Sequence, residues 1–106
     1  MLIRIVKLSF NPKNINEFIE IFNINEKNIR NFKGCRLLEL YRDKENPNIF
    51  FTYSYWDSEE YLESYKNSEL FKSIWVKIKI LFNDKPMAWS VNKLDSSKTG
   101  LIINNI

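Results

Sequence analysis

The residue types that carry most enzyme chemistry are scarce in this chain of 106 residues, and their scarcity limits what it can do. The absence of histidine excludes a Ser-His-Asp triad, a Cys-His pair and imidazole ligands for a metal or haem. A single cysteine, Cys35, excludes a disulfide within the chain and a cysteine-built zinc or iron–sulfur site. Two glycines, Gly34 and Gly100, are too far apart for a phosphate-binding loop or a dinucleotide fingerprint. Catalysis is left to carboxylates, Arg, Lys, Tyr, Trp, Asn, backbone groups or a bound organic molecule.

Three side chains stand out against this background. Trp56 ends a strand-like run, where its indole either lines a pocket and stacks on a flat aromatic molecule or anchors the core. Arg4 lies among apolar residues, so its guanidinium needs an acceptor, either Glu39 across the sheet or an acidic ligand at the mouth of a pocket. Cys35 has no neighbour that would activate its thiol, and we interpret it as a packing residue.

Neither the distribution of charges nor the length of the apolar runs indicates a nucleic-acid or membrane partner. There are 16 basic and 13 acidic residues, with no two basic residues in succession, so we expect no nucleic-acid binding. No apolar run approaches the roughly 18 residues of a membrane span, and the N-terminal stretch is too short and too charged for a signal peptide. The sequence predicts a cytoplasmic protein without a metal site.

Hydrophobic patterning predicts a single domain with the element order β-α-β-β-α-β. The predicted strands cover 2–10, 35–42, 49–56 and 87–94, and the predicted helices cover 12–31, about 58–67 and about 69–82. This order is typical of an α+β ferredoxin-like fold, in which both helical segments pack on one face of a four-stranded antiparallel sheet.

Local signals suggest where the helices begin and end. Asn11-Pro12 is a favourable start for the first helix, and Gly34 is a natural left-handed residue for its C-terminus. The pattern Asp57-Ser58-Glu59-Glu60 is typical of a capping box. Ser68-Glu69 predicts the cap of a further helix.

Both faces of the predicted sheet are apolar. Along the third strand, Phe51, Tyr53 and Tyr55 point to one face, while Thr52 and Trp56 point to the other. Helices can cover only one of these faces, and the other would leave a larger apolar patch than a monomer usually tolerates. The pattern predicts a homodimer whose two sheets pack face to face.

The C-terminal segment 95–106 follows the predicted domain 1–94. It is polar at first and then contains the three adjacent apolar residues 101–103. A segment of this kind is either frayed or docked, and we expect it to dock on the partner subunit.

Three short motifs, in this order and spacing, resemble the antibiotic biosynthesis monooxygenase family. They are Phe32-Lys33-Gly34-Cys35, Trp56-Asp57-Ser58-Glu59-Glu60 and Tyr65-Lys66-Asn67-Ser68-Glu69-Leu70-Phe71. The resemblance covers about residues 2–94 and implies a dimeric α+β barrel. The family includes quinol and polyketide oxygenases that use no metal or flavin, haem-degrading enzymes and small proteins without an assigned role.

The haem-degrading branch resembles this chain poorly at its functional positions. Its members share an Asn on the first strand, a Trp on the helix after the third strand and a His on the following helix. The corresponding positions here hold Val6, Tyr65 and Trp75, so the resemblance implies neither an axial ligand nor haem degradation.

The cofactor-independent oxygenases resemble the chain at one position more. Trp56 matches the Trp that closes their third strand beside the pocket. Their Asn four residues earlier corresponds to Thr52, and their polar residue late in the second strand corresponds roughly to Tyr41. Their Tyr six residues beyond the Trp corresponds to Leu62.

Together these comparisons lead to one hypothesis and one alternative. The hypothesis is a cofactor-independent monooxygenase that oxidises a quinol- or phenol-type molecule in an aromatic pocket, without a metal or other cofactor. The alternative is a non-catalytic dimer that binds a small molecule or stabilises an assembly. The residues expected to line the pocket are Arg4, Val6, Tyr41, Thr52, Trp56, Tyr65 and Trp75.

Overall fold

The computed structural model describes residues 1–97 and contains one antiparallel sheet covered on one face by helices. The strands are β1 (Leu2–Ser9), β2 (Cys35–Arg42), β3 (Ile49–Trp56) and β4 (Met87–Asn92), in the sheet order β2-β3-β1-β4. The helices are α1 (Ile15–Arg30), α2 (Glu59–Lys66) and α3 (Glu69–Ile78). The predicted ferredoxin-like α+β fold is confirmed.

Some of the predicted boundaries hold and others move. Strands β2 and β3 have the bounds that the sequence predicted. The first helix opens with a 3₁₀ turn at Pro12–Asn14, where the Asn11 side chain accepts a hydrogen bond from the Lys13 backbone N–H at 3.2 Å. The helix predicted to continue to residue 82 ends at Ile78, and a separate 3₁₀ turn, Lys79–Leu81, follows with Phe82 as its C-cap.

Gly34 does not cap α1 as expected. The helix ends at Arg30, and Asn31 is its C-cap with φ of −89°. Gly34 instead occupies the left-handed position, with φ of 90°, in the turn closed by the hydrogen bond from Cys35 N–H to Phe32 O at 3.0 Å. A Cβ atom at this position would collide with the ring of Tyr61. Glycine is therefore required here both by backbone geometry and by space.

Of the two N-terminal caps predicted for α2 and α3, the first is wrong. Ser58 is the N-cap of α2 but makes no side-chain capping bond, and the Asp57 carboxylate accepts two hydrogen bonds from Arg36, each at 2.8 Å. The second prediction is confirmed, since Ser68 Oγ accepts a hydrogen bond from the Phe71 N–H at 3.1 Å. The Asp57 carboxylate therefore pairs with the Arg36 guanidinium and does not cap the helix.

A β-bulge at the start of β2 decides which of its side chains face the helices. Cys35 lies opposite Trp56, and Leu37 lies opposite Tyr55. Two steps along β2 therefore correspond to one step along β3, so β2 contains one extra residue. Because side chains alternate along a strand, the extra residue reverses the alternation after Cys35. Leu38 then lies on the helix-facing side, and Glu39 and Tyr41 lie on the open side.

The buried core divides into two clusters at opposite ends of the helix-facing sheet surface. One contains Leu8, Phe10, Phe18, Phe50, Ile78 and Leu81, and the other contains Cys35, Trp56 and Leu62. Two rows of the sheet lie between them. Their residues are Ser54, Arg4 and Ser90 in one row, and Thr52, Val6 and Ala88 in the other. Apart from Arg4, the side chains named in these rows are small. They leave an unfilled space between the two clusters of large side chains.

The other face of the sheet carries large side chains with no helix over them. Trp89, Met87 and Tyr41 are 42%, 50% and 46% exposed. Tyr41 and Tyr53 pack edge to face at 5.2 Å, and the Tyr41 hydroxyl donates a hydrogen bond to Glu39 at 2.6 Å. The predicted apolar open face is therefore present.

Across residues 1–97, no helix has the length and apolar character needed to cross a membrane. The expected docking of residues 101–103 on a partner subunit lies outside the described residues.

Candidate functional site

A cavity of about 310 Å³ lies above the two middle rows of the sheet, between the two core clusters. Thr52, Ser54 and Val6 lie along its floor, and Met87 and Ala88, both exposed, lie where it meets the edge strand β4. Aromatic rings from β3 and all three helices supply most of its walls. They are Phe18, Phe22, Trp56, Tyr65, Phe71 and Trp75.

Trp56 serves both as a core residue and as a wall of the cavity. Its side chain is 1% exposed, and its indole N–H donates a hydrogen bond to Ser54 Oγ at 2.9 Å. The indole stacks on Tyr65 with ring centroids 5.2 Å apart and an interplanar angle of 27°. Trp56 is therefore a core anchor that also borders the cavity, and its stacking on an aromatic ligand stays a prediction.

Tyr65 lines the cavity and is surrounded by aromatic rings. Its ring lies edge to face with Phe32 and Phe71, at 5.4 and 5.2 Å. Burial raises the pKa of the Tyr65 phenol well above its ordinary range, because desolvation penalises the phenolate. Near neutral pH this hydroxyl is therefore a hydrogen-bond donor and not a base.

Two basic residues line the cavity: Arg4 on the sheet, and Lys66 on α2, which forms an ion pair with Glu63 at 3.2 Å. Arg4 Nη1 donates a hydrogen bond to Ser90 Oγ at 2.9 Å. The expected pairing with Glu39 is wrong, because the bulge in β2 places Glu39 on the opposite face of the sheet. Among the described residues, no Asp or Glu lines the cavity. The site therefore combines apolar walls with a positive charge.

The structure brings six of the seven candidate residues to this cavity. They are Arg4, Val6, Thr52, Trp56, Tyr65 and Trp75. Tyr41 was expected there too, but it lies exposed on the open face, again because of the bulge in β2. Leu38 takes the position facing the cavity.

Several residues at the cavity were not singled out from the sequence. Ser54 lies between Thr52 and Trp56 on the same face, so the alternation along β3 already carried that signal. Phe22 and Asn25 come from α1, where helical periodicity identifies the apolar face but not which part of it borders a void.

Cys35 has the inert character that the sequence indicated. The side chain is buried beside Trp56, and this burial raises the pKa of its thiol. Within residues 1–97, no group of three Cys, Asp or Glu side chains converges in the manner of a metal site.

Comparison with known proteins identifies relatives in sequence and fold. The family model described as antibiotic biosynthesis monooxygenase matches residues 1–75. A crystal structure of an antibiotic biosynthesis monooxygenase superposes with a TM-score of 0.84 at 17% identity, covering 90% of this chain and 100% of its own.

Two other solved structures have similar folds. A conserved protein from Methanosarcina mazei Go1 superposes with a TM-score of 0.82 at 23% identity, covering 88% of this chain and 93% of its own. A protein from Mycobacterium tuberculosis gives 0.83 at 14% identity, with coverages of 92% and 98%. Among curated proteins, no sequence matches significantly. At these identities the structural likeness establishes the fold and leaves the chemistry to the site itself.

Proposed function

The chain belongs to the antibiotic biosynthesis monooxygenase family, and on that premise we propose that it oxidises a quinol- or phenol-type molecule with O2 in this cavity. The observation that carries the proposal is a space of about 310 Å³ bounded by aromatic rings, with Thr52 and Tyr65 among the residues that line it. Cavities of this size are at the lower end of the range for small-molecule sites. A flat one- or two-ring substrate fits such a space.

The reaction needs no external reductant if the substrate supplies all the electrons. A phenol with a free para C–H becomes a quinone when one oxygen atom of O2 forms the new carbonyl and the other leaves as water. This conversion takes four electrons from the substrate, and its atoms balance as phenol plus O2 giving quinone plus water. The resemblance to the cofactor-independent oxygenases, which Trp56 carries, implies that no metal or flavin takes part.

The cavity favours this chemistry by desolvation and by hydrogen bonding. Aromatic walls hold the ring and exclude water, which orients the substrate toward O2. Tyr65 and Thr52 donate hydrogen bonds to oxygen atoms that gain negative charge as O2 is reduced. Since no carboxylate of the described chain lines the cavity, the phenolic proton must leave to bulk water before the substrate is enclosed, and the substrate must be acidic enough to ionise.

Oxygen uptake with a panel of dihydroxynaphthalenes and substituted quinols tests the proposal. The wild-type protein should consume O2 above the buffer rate, and Tyr65→Phe should lower kcat by about 10-fold or more, as expected for loss of one donor to a developing oxyanion. Tyr61→Phe is the matched control, because Tyr61 is on the same helix but does not line the cavity. Equal rates for Tyr65→Phe and wild type would remove Tyr65 from the mechanism.

A specific observation also supports a non-catalytic binding protein as the second candidate. The Trp56 N–H is occupied by Ser54, and no described residue at the cavity is a base at neutral pH. Under this alternative the aromatic probes bind with a measurable Kd, but O2 uptake stays at the buffer rate with every member of the panel.

We further propose that the protein acts as a homodimer in which the open faces of two sheets pack together. Support comes from the exposed row on β4, formed by Met87, Trp89 and Val91, and from the half-buried Phe51 and Tyr53 on the same face of β3, with β1 between the two strands. Burial of an apolar surface of this kind is the main driving force for stable association.

A further inference from the structure

Arg4 is a cation whose surroundings provide no matching anion. The two ion pairs found among residues 1–97 join Arg36 to Asp57 and Lys66 to Glu63, so neither includes Arg4. Ser90 Oγ, at 2.9 Å from Nη1, is its one hydrogen-bond partner in the described chain. A guanidinium has five N–H donors, and most of them are left for a ligand.

The position of Arg4 defines which part of a ligand it would meet. Its neighbours across the sheet are Ser54, under the aromatic wall at Trp56, and Ser90, on the exposed edge strand β4. The hydrogen bond to Ser90 draws the guanidinium toward that edge. A group bound by Arg4 therefore lies at the solvent end of the cavity, with the rest of the ligand directed inward toward Tyr65 and Trp75.

We propose that Arg4, held by Ser90, binds a carboxylate substituent of an aromatic ligand, so that the cavity selects hydroxyaromatic acids. A half-buried cation with unused N–H donors is stabilised by an anion that it can hydrogen-bond. The planar fork of a guanidinium matches the two oxygens of a carboxylate, which stays ionised at neutral pH without help from the protein. The inference relies on the proposed function only in taking the ligand to be aromatic.

The test compares 2-naphthoate with 2-naphthamide, which has nearly the same shape and no charge. Binding is measured by tryptophan fluorescence and calorimetry under nitrogen, so that no turnover is needed. The wild-type protein should bind the naphthoate about 10-fold or more tightly than the amide. Arg4→Gln should abolish this preference and leave the Kd for the amide within about twofold.

Two further variants make the result specific. Arg42→Gln removes the same charge from the same face of the sheet, outside the cavity, and should keep the full preference. Ser90→Ala keeps the guanidinium but removes its anchor, and should reduce the preference by about two- to fivefold. Ser90→Ala also provides the test if Arg4→Gln fails to fold.

Failure of this proposal and failure of the proposed function give different results. Equal Kd values for the two probes in the wild-type protein, or a preference that survives in Arg4→Gln, would overturn the carboxylate site. A preserved preference without any O2 uptake would support the carboxylate site and contradict only the oxidation chemistry.

Discussion

Burial among aromatic rings gives the Tyr65 hydroxyl its chemical character. The ring lies between Trp56, Phe32 and Phe71, and its OH forms no hydrogen bond with another described residue. In this setting the phenolate is penalised and the phenol is retained. The phenol is protonated near neutral pH even in water, and burial extends that range to higher pH, so the hydroxyl can act as the donor that the proposed reaction requires.

This burial has a consequence for stability at high pH. The pKa of Tyr65 is raised in the folded protein, so the folded and unfolded states bind equal numbers of its protons below about pH 10. Above that pH the unfolded chain ionises first, and the stability associated with the protonated phenol is lost as the pH rises toward the folded pKa.

Urea unfolding of the wild-type protein and Tyr65→Phe at pH 8 and pH 11 measures this effect. The stability of the wild-type protein relative to Tyr65→Phe should fall by about 1 kcal/mol between the two pH values. The other tyrosines and the lysines titrate in both proteins and cancel in the difference. A difference that does not change with pH would show that Tyr65 is solvated.

The helix caps give a matched prediction for two neighbouring elements. Ser68 accepts a hydrogen bond from Phe71 N–H at 3.1 Å and donates one to Tyr65 O at 2.6 Å, so it ties the end of α2 to the start of α3. Ser58, at the start of α2, makes no side-chain capping bond. Thermal and urea unfolding should show that Ser68→Ala costs about 1 kcal/mol and Ser58→Ala less than about 0.5 kcal/mol. Equal costs would mean that the two serines do not differ as caps.

The elements were predictable from the sequence wherever local chemistry alone decides the structure. Strand β2 is a leucine-rich run that follows Gly34, and β3 is a mainly aromatic run that follows Pro47 and ends before the acidic start of α2. Asp57 was not predictable in this way, because its partner Arg36 is brought to it by the sheet. Distant pairing of this kind has no signature in a local motif.

The bulge in β2 accounts for both errors at the candidate site. A regular strand starting from Cys35 would place Glu39 and Tyr41 on the face that carries Arg4. One extra residue between Cys35 and Leu37 reverses the pattern and brings Leu38 to the cavity. Strand β3 has no such irregularity against β1, and its alternation correctly assigned Thr52 and Trp56 to the helix-facing side. The cavity itself depends on how helices span small residues, which the periodicity of one strand does not reveal.

At the scale of the whole molecule, the open sheet face predicts association. Val91 on β4 and Val76 on α3 are both exposed, at 38% and 54%, but only Val91 is on the open face. Light scattering at micromolar concentration should give twice the chain mass of 12.8 kDa for the wild-type protein and for Val76→Glu. Val91→Glu should give the mass of one chain, since the new charge would be buried in the interface. A wild-type protein that stays monomeric would contradict the proposed dimer.

The central claim is that the cavity transfers an oxygen atom from O2 to an aromatic ring, and isotope labelling tests it most directly. The wild-type protein is incubated under ¹⁸O2 with a dihydroxynaphthalene that carries a carboxylate and has a free C–H para to one hydroxyl, and O2 uptake is recorded with the mass of the product. The account predicts one labelled oxygen atom per product molecule, one O2 consumed per turnover and no accumulation of hydrogen peroxide. An unlabelled quinone formed together with an equal amount of hydrogen peroxide, or no uptake above the buffer rate, would contradict it.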